Sequence, residues 1–196
     1  LSSFEFPCVK RNAIMLLDLT IADLADLPRI DSALKKNDHL NQFADLAMGE
    51  VQVHDNVLEI LHEVVSRYLL KEGLPTENAK ISLLVDPVLI KRAGEDLKTQ
   101  IQELLLEKHF VTRVTLDDGH DVLHAEAQIL EEAALAVIGS DCIVSVGSGT
   151  LSDIAKVAAK RSNVPVHIIV QTAASVDGFT DNFSVILQNG VKKTVL

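Results

Sequence analysis

The sequence is poor in aromatic residues, with no tryptophan, one tyrosine and six phenylalanines in 196 positions. A core built on aromatic rings is therefore excluded, and aliphatic side chains and alanine have to form it. Because 47% of the residues are hydrophobic and 23% are charged, the chain has enough apolar material for a globular core. Aliphatic strands and alanine-rich helices favour layers of α-helix against β-sheet.

Cysteine and long apolar runs are also scarce. Cys8 and Cys142 lack the spacing of a metal site, and Cys142, inside the run DCIVSV, is expected to be a small buried residue. No apolar run reaches the roughly 18 residues that a membrane-spanning helix needs. The stretch at 13–27 is interrupted by aspartates, so it reads as neither a signal peptide nor a membrane helix. We therefore expect a cytoplasmic protein.

Basic residues are fewer than acidic ones: the chain has 18 Lys and Arg against 28 Asp and Glu, which gives a formal net charge of −10. Such a surface repels phosphate backbones and anionic lipids, so we expect no nucleic-acid partner and no membrane partner. A nucleotide cofactor is still allowed, because backbone N–H groups bind it locally. The chain begins at Leu1 and stops at Leu196 within a strand pattern. We therefore expect a segment of a longer protein.

Two regions differ in pattern. Residues 1–45 predict an N-terminal helical extension, with an apolar stripe at 16–27 that Pro28 stops or kinks, and then a short helix with Asp31 as its cap. Residues 46–196 alternate strand and helix patterns. Strands are predicted at 49–55, 79–86, 110–116, 141–146 and 164–172, and helices at 57–72, 88–108, 122–138 and 151–160.

This alternation implies βαβ units with right-handed crossovers and a parallel sheet. Asn189-Gly190 joins two further apolar runs, FSVILQ and VKKTVL, and is the strongest short hairpin signal in a sequence. The predicted fold class is therefore α/β, a doubly wound, mostly parallel Rossmann-like sheet with a terminal β-hairpin.

The loop Gly147-Ser148-Gly149-Thr150 follows a buried strand and opens a helix. Glycine lets a ligand approach bare backbone, and the helix N-terminus adds free N–H groups and partial positive charge. Ligands of α/β sheets also bind at the carboxyl ends of the strands, which suits a pyrophosphate. A plain strand-to-helix turn is an equal alternative, because Ser152 occupies the third glycine position of G-x-G-x-x-G.

A second polar cluster follows the next strand, in the segment TAASVDG. Thr172, Ser175 and Asp177 lie within six residues at the same predicted edge of the sheet. Taken alone, the segment is also compatible with an Asx or Ser turn.

The two segments together resemble the iron-containing alcohol dehydrogenase and dehydroquinate synthase superfamily. Its pattern is a glycine loop, an Asp and an Ala-Lys, followed by Thr-x-x-Ser-x-Asp. The matching positions are Gly147, Ser148, Gly149, Asp153, Ala155, Lys156, Thr172, Ser175 and Asp177. The segments SVDGF and FSVILQNGVKKTV are most similar to those of the sn-glycerol-1-phosphate dehydrogenase branch. The resemblance covers about residues 46–196 and implies an NAD(P)-binding domain there.

The resemblance implies a role for each position. A backbone stretch would bind the pyrophosphate of NAD or NADP, formed by Gly147, Ser148, Gly149, Thr150 and Leu151. Asp153 would brace that loop. Thr172 and Ser175 would line the path to the nicotinamide, and Asp177 would accept hydrogen bonds from substrate hydroxyls.

Asp86 matches the position that holds the adenosine ribose in the family, and an acid there favours NAD because it repels a 2′-phosphate. Asp86 is equally well interpreted as a helix cap before Pro87. The chain departs from the family pattern at Ser148, which replaces a glycine, at Gln171, which replaces a proline, and at Asp181. Asp181 stands where the family commonly has a serine near the cofactor, and the resemblance implies that a carboxylate there would repel phosphate.

The family holds Zn²⁺ or Fe²⁺ with one Asp and two His from a C-terminal helical domain, and the resemblance places that domain outside this chain. We therefore expect zinc or iron only with the longer protein, and no activity from this segment alone. His120 and His124 in HDVLH would be one helical turn apart, yet Asp121 is too short for a zinc-protease base and no third ligand is evident. We expect a solvated turn there.

The implied activity is an NAD(P)-dependent alcohol dehydrogenase acting on a polyol or polyol phosphate, which interconverts sn-glycerol 1-phosphate and dihydroxyacetone phosphate. A glycerol dehydrogenase, a dehydroquinate synthase-like enzyme and a non-catalytic nucleotide-binding module remain as alternatives. A homo-oligomer is compatible with the sequence.

Overall fold

The computed structural model describes residues 25–38, 46, 48–173 and 178–195. The chain divides into two compact units, residues 1–54 and 55–196. None of the helices in these described ranges is long and apolar enough to cross a membrane.

The first unit contains helix α1 (Leu27–Asn37). Its N-cap is Asp26, whose side chain accepts a hydrogen bond from the Arg29 amide at 3.0 Å. The prediction that Asp31 caps this helix is wrong, because Asp31 lies inside it and pairs with Lys35 at 2.8 Å. Pro28 lies in the first turn of the helix, where its missing N–H leaves no helical hydrogen bond unmade. The stripe at 16–24 lies outside the described residues.

The second unit is built on a four-stranded parallel sheet. Its strands are β1 (Lys80–Val85), β4 (Phe110–Thr115), β5 (Cys142–Gly147) and β6 (Val166–Gln171), in the order β4-β1-β5-β6. Around it lie helices α2 (Val57–Lys71), α3 (Leu97–Leu106), α4 (Ala127–Ala136) and α5 (Gly149–Arg161).

Both faces of the sheet carry an aliphatic core. On one face, α2 and α3 contribute Leu61, Val65 and Ile101 to a buried cluster. On the other face, α4 and α5 contribute buried residues such as Ala133 and Ile154. The predicted α/β fold with a doubly wound parallel sheet is confirmed.

The strand order places a topological switch point between β1 and β5. The chain leaves β1 to form β4 on one side, then returns to form β5 on the other side. The two crossovers diverge there, and in open α/β sheets of this topology ligands bind in a crevice outside the carboxyl ends of the strands at such a point. Asp86 directly follows β1, and Gly147 ends β5.

Two of the predicted helices are shorter than expected. Residues 91–96 form a small antiparallel hairpin, β2 (Lys91–Arg92) and β3 (Glu95–Asp96), because Ala93 and Gly94 take φ angles of 51° and 90° that reverse the chain. Helix α3 follows only at Leu97. Helix α4 begins at Ala127, because Glu126 bridges to Leu187 in extended conformation.

The predicted strand at 49–55 is wrong. These residues have no strand partner in the described part of the chain, and Val53 is exposed. Alternating side chains do not make a strand stable without a neighbouring strand to satisfy its backbone.

The predicted terminal hairpin is present as β7 (Ser184–Gln188) and β8 (Val191–Val195). Asn189 and Gly190 have φ angles of 52° and 75°, the positive values that a tight two-residue turn requires.

Candidate functional site

The glycine loop ends β5 and opens α5. Ser148 is the N-cap, with an extended backbone that accommodates its Cβ, and its side chain makes no capping hydrogen bond. Its carbonyl oxygen accepts a hydrogen bond from the Ser152 amide at 3.1 Å. Within the described ranges, the N–H groups of Gly149, Thr150 and Leu151 have no hydrogen-bond acceptor. Three free donors at a helix N-terminus suit an anionic ligand.

Gly147, at the end of β5, has no room for a side chain. A Cβ added here would lie 2.6 Å from Leu151 Cδ2 and 3.3 Å from Asp86 Oδ2. Since a real Cβ does not approach other atoms so closely, only glycine fits without movement of these neighbours. The Leu151 and Asp86 side chains therefore both lie close to the backbone of Gly147.

Asp86 is buried at the end of β1. Its Oδ1 atom accepts hydrogen bonds from the Val88 amide at 3.0 Å and from Lys98 Nζ at 2.5 Å. No helix begins at Pro87, so the interpretation of Asp86 as a helix cap is wrong, and its side chain closes a short Asx turn instead. The role in ribose binding stays a prediction.

Lys98 is a residue that the sequence analysis missed. Its side chain is 1% exposed, and Nζ also donates to the backbone carbonyls of Asp86 and Val88, each at 2.7 Å. The expectation of one long helix at 88–108 placed Lys98 in mid-helix and gave no reason for it to be buried. A sequence signal exists only if the turn at Ala93-Gly94 is recognised first, because Lys98 then falls in the first turn of α3.

Thr172 lies beside the glycine loop, since its amide donates to the Gly147 carbonyl at 3.2 Å. Gln171, where the family usually has proline, donates from Nε2 to the Ala173 carbonyl at 2.7 Å. Its Oε1 atom is buried and has no partner among the described residues. Ser175 and Asp177 lie outside the described residues, so their roles stay predictions.

The Asp153 carboxylate makes no hydrogen bond to the glycine loop that it was expected to brace. Its Oδ2 atom accepts a hydrogen bond from the Val185 amide at 3.0 Å, and Oδ1 pairs with Lys156 at 3.0 Å. The carboxylate therefore joins α5 to the terminal hairpin. The difference arises because residue 153 is one turn inside α5, facing β7 rather than the loop.

Lys156 connects α5 to residues 178–183. Its ammonium donates to the Gly178 carbonyl at 2.6 Å, to Asp181 Oδ1 at 3.0 Å and to the Phe183 carbonyl. Asp181 is thus paired with a cation, which reduces the repulsion expected between its carboxylate and a phosphate.

His120 and His124 are not arranged as a helical metal pair, since residues 117–125 form a turn and extended chain. Removal from water acts to raise the pKa of Asp118, but hydrogen bonds from the His124 ring and from the backbone of both histidines lower that pKa to about 2. His124 Nδ1 lies 2.8 Å from Asp118 Oδ2. Asp118 therefore organises the turn.

Among the residues that the structure describes, no three His, Cys, Asp or Glu side chains come together as a possible metal site. Cys142 is fully buried, as predicted, and burial raises the pKa of its thiol. His167 and Ser145 hydrogen-bond at 2.9 Å on adjacent strands, and burial together with the charge of Lys156 lowers the pKa of His167 to about 4.

Several curated proteins are similar in sequence to this chain. A glycerol-1-phosphate dehydrogenase [NAD(P)+] of Geobacillus thermodenitrificans is 32% identical over 117 residues, which are 59% of this chain and 28% of that protein. The enzyme of the same description from Halalkalibacterium halodurans is 26% identical over 156 residues, 76% of this chain and 35% of that protein. The chain therefore spans about a third of these curated relatives.

Among solved structures, a probable glycerol dehydrogenase of Sinorhizobium meliloti 1021 shares the fold, with a TM-score of 0.52 and 19% identity over 71% of this chain and 33% of that one. The profile of the family described as iron-containing alcohol dehydrogenase matches residues 52–196. This match takes in the parallel sheet, the glycine loop and the terminal hairpin, and the chain belongs to the iron-containing alcohol dehydrogenase family.

Proposed function

We propose that this chain is the nucleotide-binding part of an NAD(P)-dependent dehydrogenase that interconverts sn-glycerol 1-phosphate and dihydroxyacetone phosphate. Membership of the dehydrogenase family and the activity named for the curated relatives support the proposal. Because the chain spans about a third of those relatives, the reaction is proposed for the complete enzyme. For the chain itself the proposal is NAD(P) binding.

The observation that carries the proposal is the set of free amides at Gly149, Thr150 and Leu151, at the carboxyl end of β5 beside the switch point. These donors fit the diphosphate of a dinucleotide, which helix N-termini bind through backbone N–H groups and the helix dipole. The bound nicotinamide would supply the hydride acceptor. Asp86 would hold the adenosine ribose, and Asp177 would bind the polyol phosphate.

The family implies a metal at the reacting centre. The described side chains do not fit one, because no three ligand-type residues converge there. We therefore expect this chain alone to catalyse no oxidation of glycerol 1-phosphate by NAD⁺, with or without added Zn²⁺ or Fe²⁺. Turnover by the isolated chain would contradict that expectation.

The sharpest test of nucleotide binding uses Ser148, the exposed N-cap of α5. Asp and Asn are both good N-cap residues, so Ser148→Asp and Ser148→Asn are expected to preserve the helix. Only the aspartate places a negative charge where the diphosphate would bind. Calorimetric titration with NADH should show saturable binding by the wild type and by Ser148→Asn, and about tenfold or greater loss of affinity in Ser148→Asp.

Thermal denaturation of the same samples shows whether the fold is intact. Equal NADH affinity in Ser148→Asp and Ser148→Asn would move the diphosphate away from this loop. Absence of saturable binding by the wild-type chain would refute the proposed function.

A further inference from the structure

We propose that Lys98 sets the balance between NAD and NADP in this crevice, by neutralising Asp86. The inference rests on the proposed function, because it concerns which nucleotide the same crevice accepts. It assigns Lys98 as a positioning residue that acts through the carboxylate of Asp86.

Lys98 lies in the first turn of α3, where the partial positive charge of the helix N-terminus disfavours a cation. Its side chain is nevertheless 1% exposed. A buried ammonium is stable only with partners for its charge and its protons, and it has them in Asp86 Oδ1 and the carbonyls of Asp86 and Val88.

Lys98 occupies only one side of the Asp86 carboxylate. One oxygen of its carboxylate, Oδ1, is occupied by Lys98 and the Val88 amide. The other oxygen, Oδ2, faces Gly147 in the crevice and accepts no hydrogen bond from the described residues. Asp86 can therefore still accept a ribose hydroxyl through Oδ2, while the pair as a whole carries almost no net charge.

Pairing of Asp86 with Lys98 changes which nucleotide the crevice can accept. A carboxylate that holds the adenosine ribose, the role the resemblance implies for Asp86, disfavours NADP because it repels the 2′-phosphate. That repulsion depends on net charge at short range, so an ammonium bound to the same carboxylate offsets much of it. The crevice should accept both nucleotides, and the lysine rather than the aspartate alone should set their ratio.

The test measures the affinities of NADH and NADPH by calorimetry for the full 196-residue chain and its variants. Lys98→Met leaves Asp86 unpaired, and we expect the affinity of NADPH relative to NADH to fall about tenfold. Asp86→Asn leaves the ammonium unpaired, and the same ratio should rise about tenfold. A general loss of stability would weaken both nucleotides together and leave the ratio unchanged.

Lys80→Met is the matched control. It removes the same charge from an exposed residue at the opposite end of β1, about 15–20 Å away, and should leave the ratio unchanged.

Removal of one partner of a buried ion pair can unfold a protein. If Lys98→Met does not fold, a second comparison, between Asp86→Asn and a double variant, tests the inference. In Asp86→Asn the Lys98 ammonium has lost its carboxylate partner. Adding Lys98→Met removes this unpaired charge. The ratio of NADPH to NADH affinity should then fall again by about tenfold. A ratio that stays the same in either comparison overturns the inference, whereas failure of the wild type to bind either nucleotide refutes the proposed function instead.

Discussion

Gly147 lies directly against the carboxylate of Asp86, close enough that a Cβ at residue 147 would be 3.3 Å from Asp86 Oδ2. The two residues are 61 positions apart in sequence, and the pairing of β5 with β1 brings them together. The floor of the crevice is therefore formed by two strand ends whose relative position depends on the absence of one side chain.

Gly147→Ala should destabilise the protein. The new Cβ would also lie 2.6 Å from Leu151 Cδ2 and 3.2 Å from Leu151 Cβ, so the buried Leu151 side chain has to shift, and we expect the free energy of unfolding to fall by about 1–3 kcal/mol. Urea denaturation measures this change. Gly178→Ala is the control, because its Cβ would meet only Asp153 Oδ1 at an ordinary 3.7 Å. Equal stability of the two variants would show that the crevice floor is not tightly packed.

Lys156→Met should release residues 178–183 from α5. The Lys156 side chain is 12% exposed, and its ammonium bonds to Asp153, Asp181 and two carbonyls. Its loss therefore leaves two carboxylates without their cation. We expect the free energy of unfolding to fall by about 2–3 kcal/mol and amide hydrogen exchange to accelerate in β7. Lys160→Met, at an exposed position of the same helix, is expected to change neither quantity. Unchanged exchange in β7 would argue against this connection.

The stability of the protein should fall as the pH drops from about 6.5 to about 4. Burial, and then the charge of Lys156, lower the pKa of His167 to about 4 from its usual 6.5. In this range the unfolded chain takes up a proton at His167 that the folded protein does not, which costs about 2–3 kcal/mol of stability by pH 4. The measurement is urea denaturation at pH 7.5, 6 and 5.

His167→Gln, which keeps a hydrogen-bonding group near Ser145, should flatten part of this pH dependence. If the variant and the wild type lose stability in parallel as the pH falls, His167 does not titrate as inferred.

His109→Leu should leave the protein as stable or make it more stable. The His109 side chain is buried, neither ring nitrogen has a partner among the described residues, and burial followed by the charge of His62 lowers its pKa. Replacing an unsatisfied polar ring by an apolar group removes a desolvation cost, so we expect a gain of up to about 1 kcal/mol. Thermal denaturation measures it, with the exposed His120→Leu as reference. A large loss of stability would reveal a hydrogen bond to His109.

Much of the fold was accessible from local patterns. The runs that became β1 and β5 are continuously apolar because both of their faces are covered by helices, and this pattern is visible without any structure. Asn189-Gly190 predicted the terminal hairpin, because few residue pairs accept the positive φ angles of that turn. The position of the glycine loop then followed from the strand before it and the helix after it.

Other features escaped because local pattern is not sufficient for them. The stretch at 49–55 alternates like a strand but has no neighbour to pair with in the described chain, and the helical spacing at 88–108 concealed the reversal at Ala93-Gly94. Asp153 matched a family position, yet which group its carboxylate reaches depends on where β7 lies against α5.

The order of apolar runs, glycines and turn residues along this chain is enough to predict the four sheet strands, the glycine loop after β5 and the terminal hairpin, since each depends on neighbours within a few positions. The pairing of Lys98 with Asp86 is of another kind. Burial of an ammonium is favourable only when the fold brings a carboxylate and two carbonyls within hydrogen-bonding distance of it. The neutralisation of the Asp86 carboxylate at the end of β1 is therefore visible only in the folded chain.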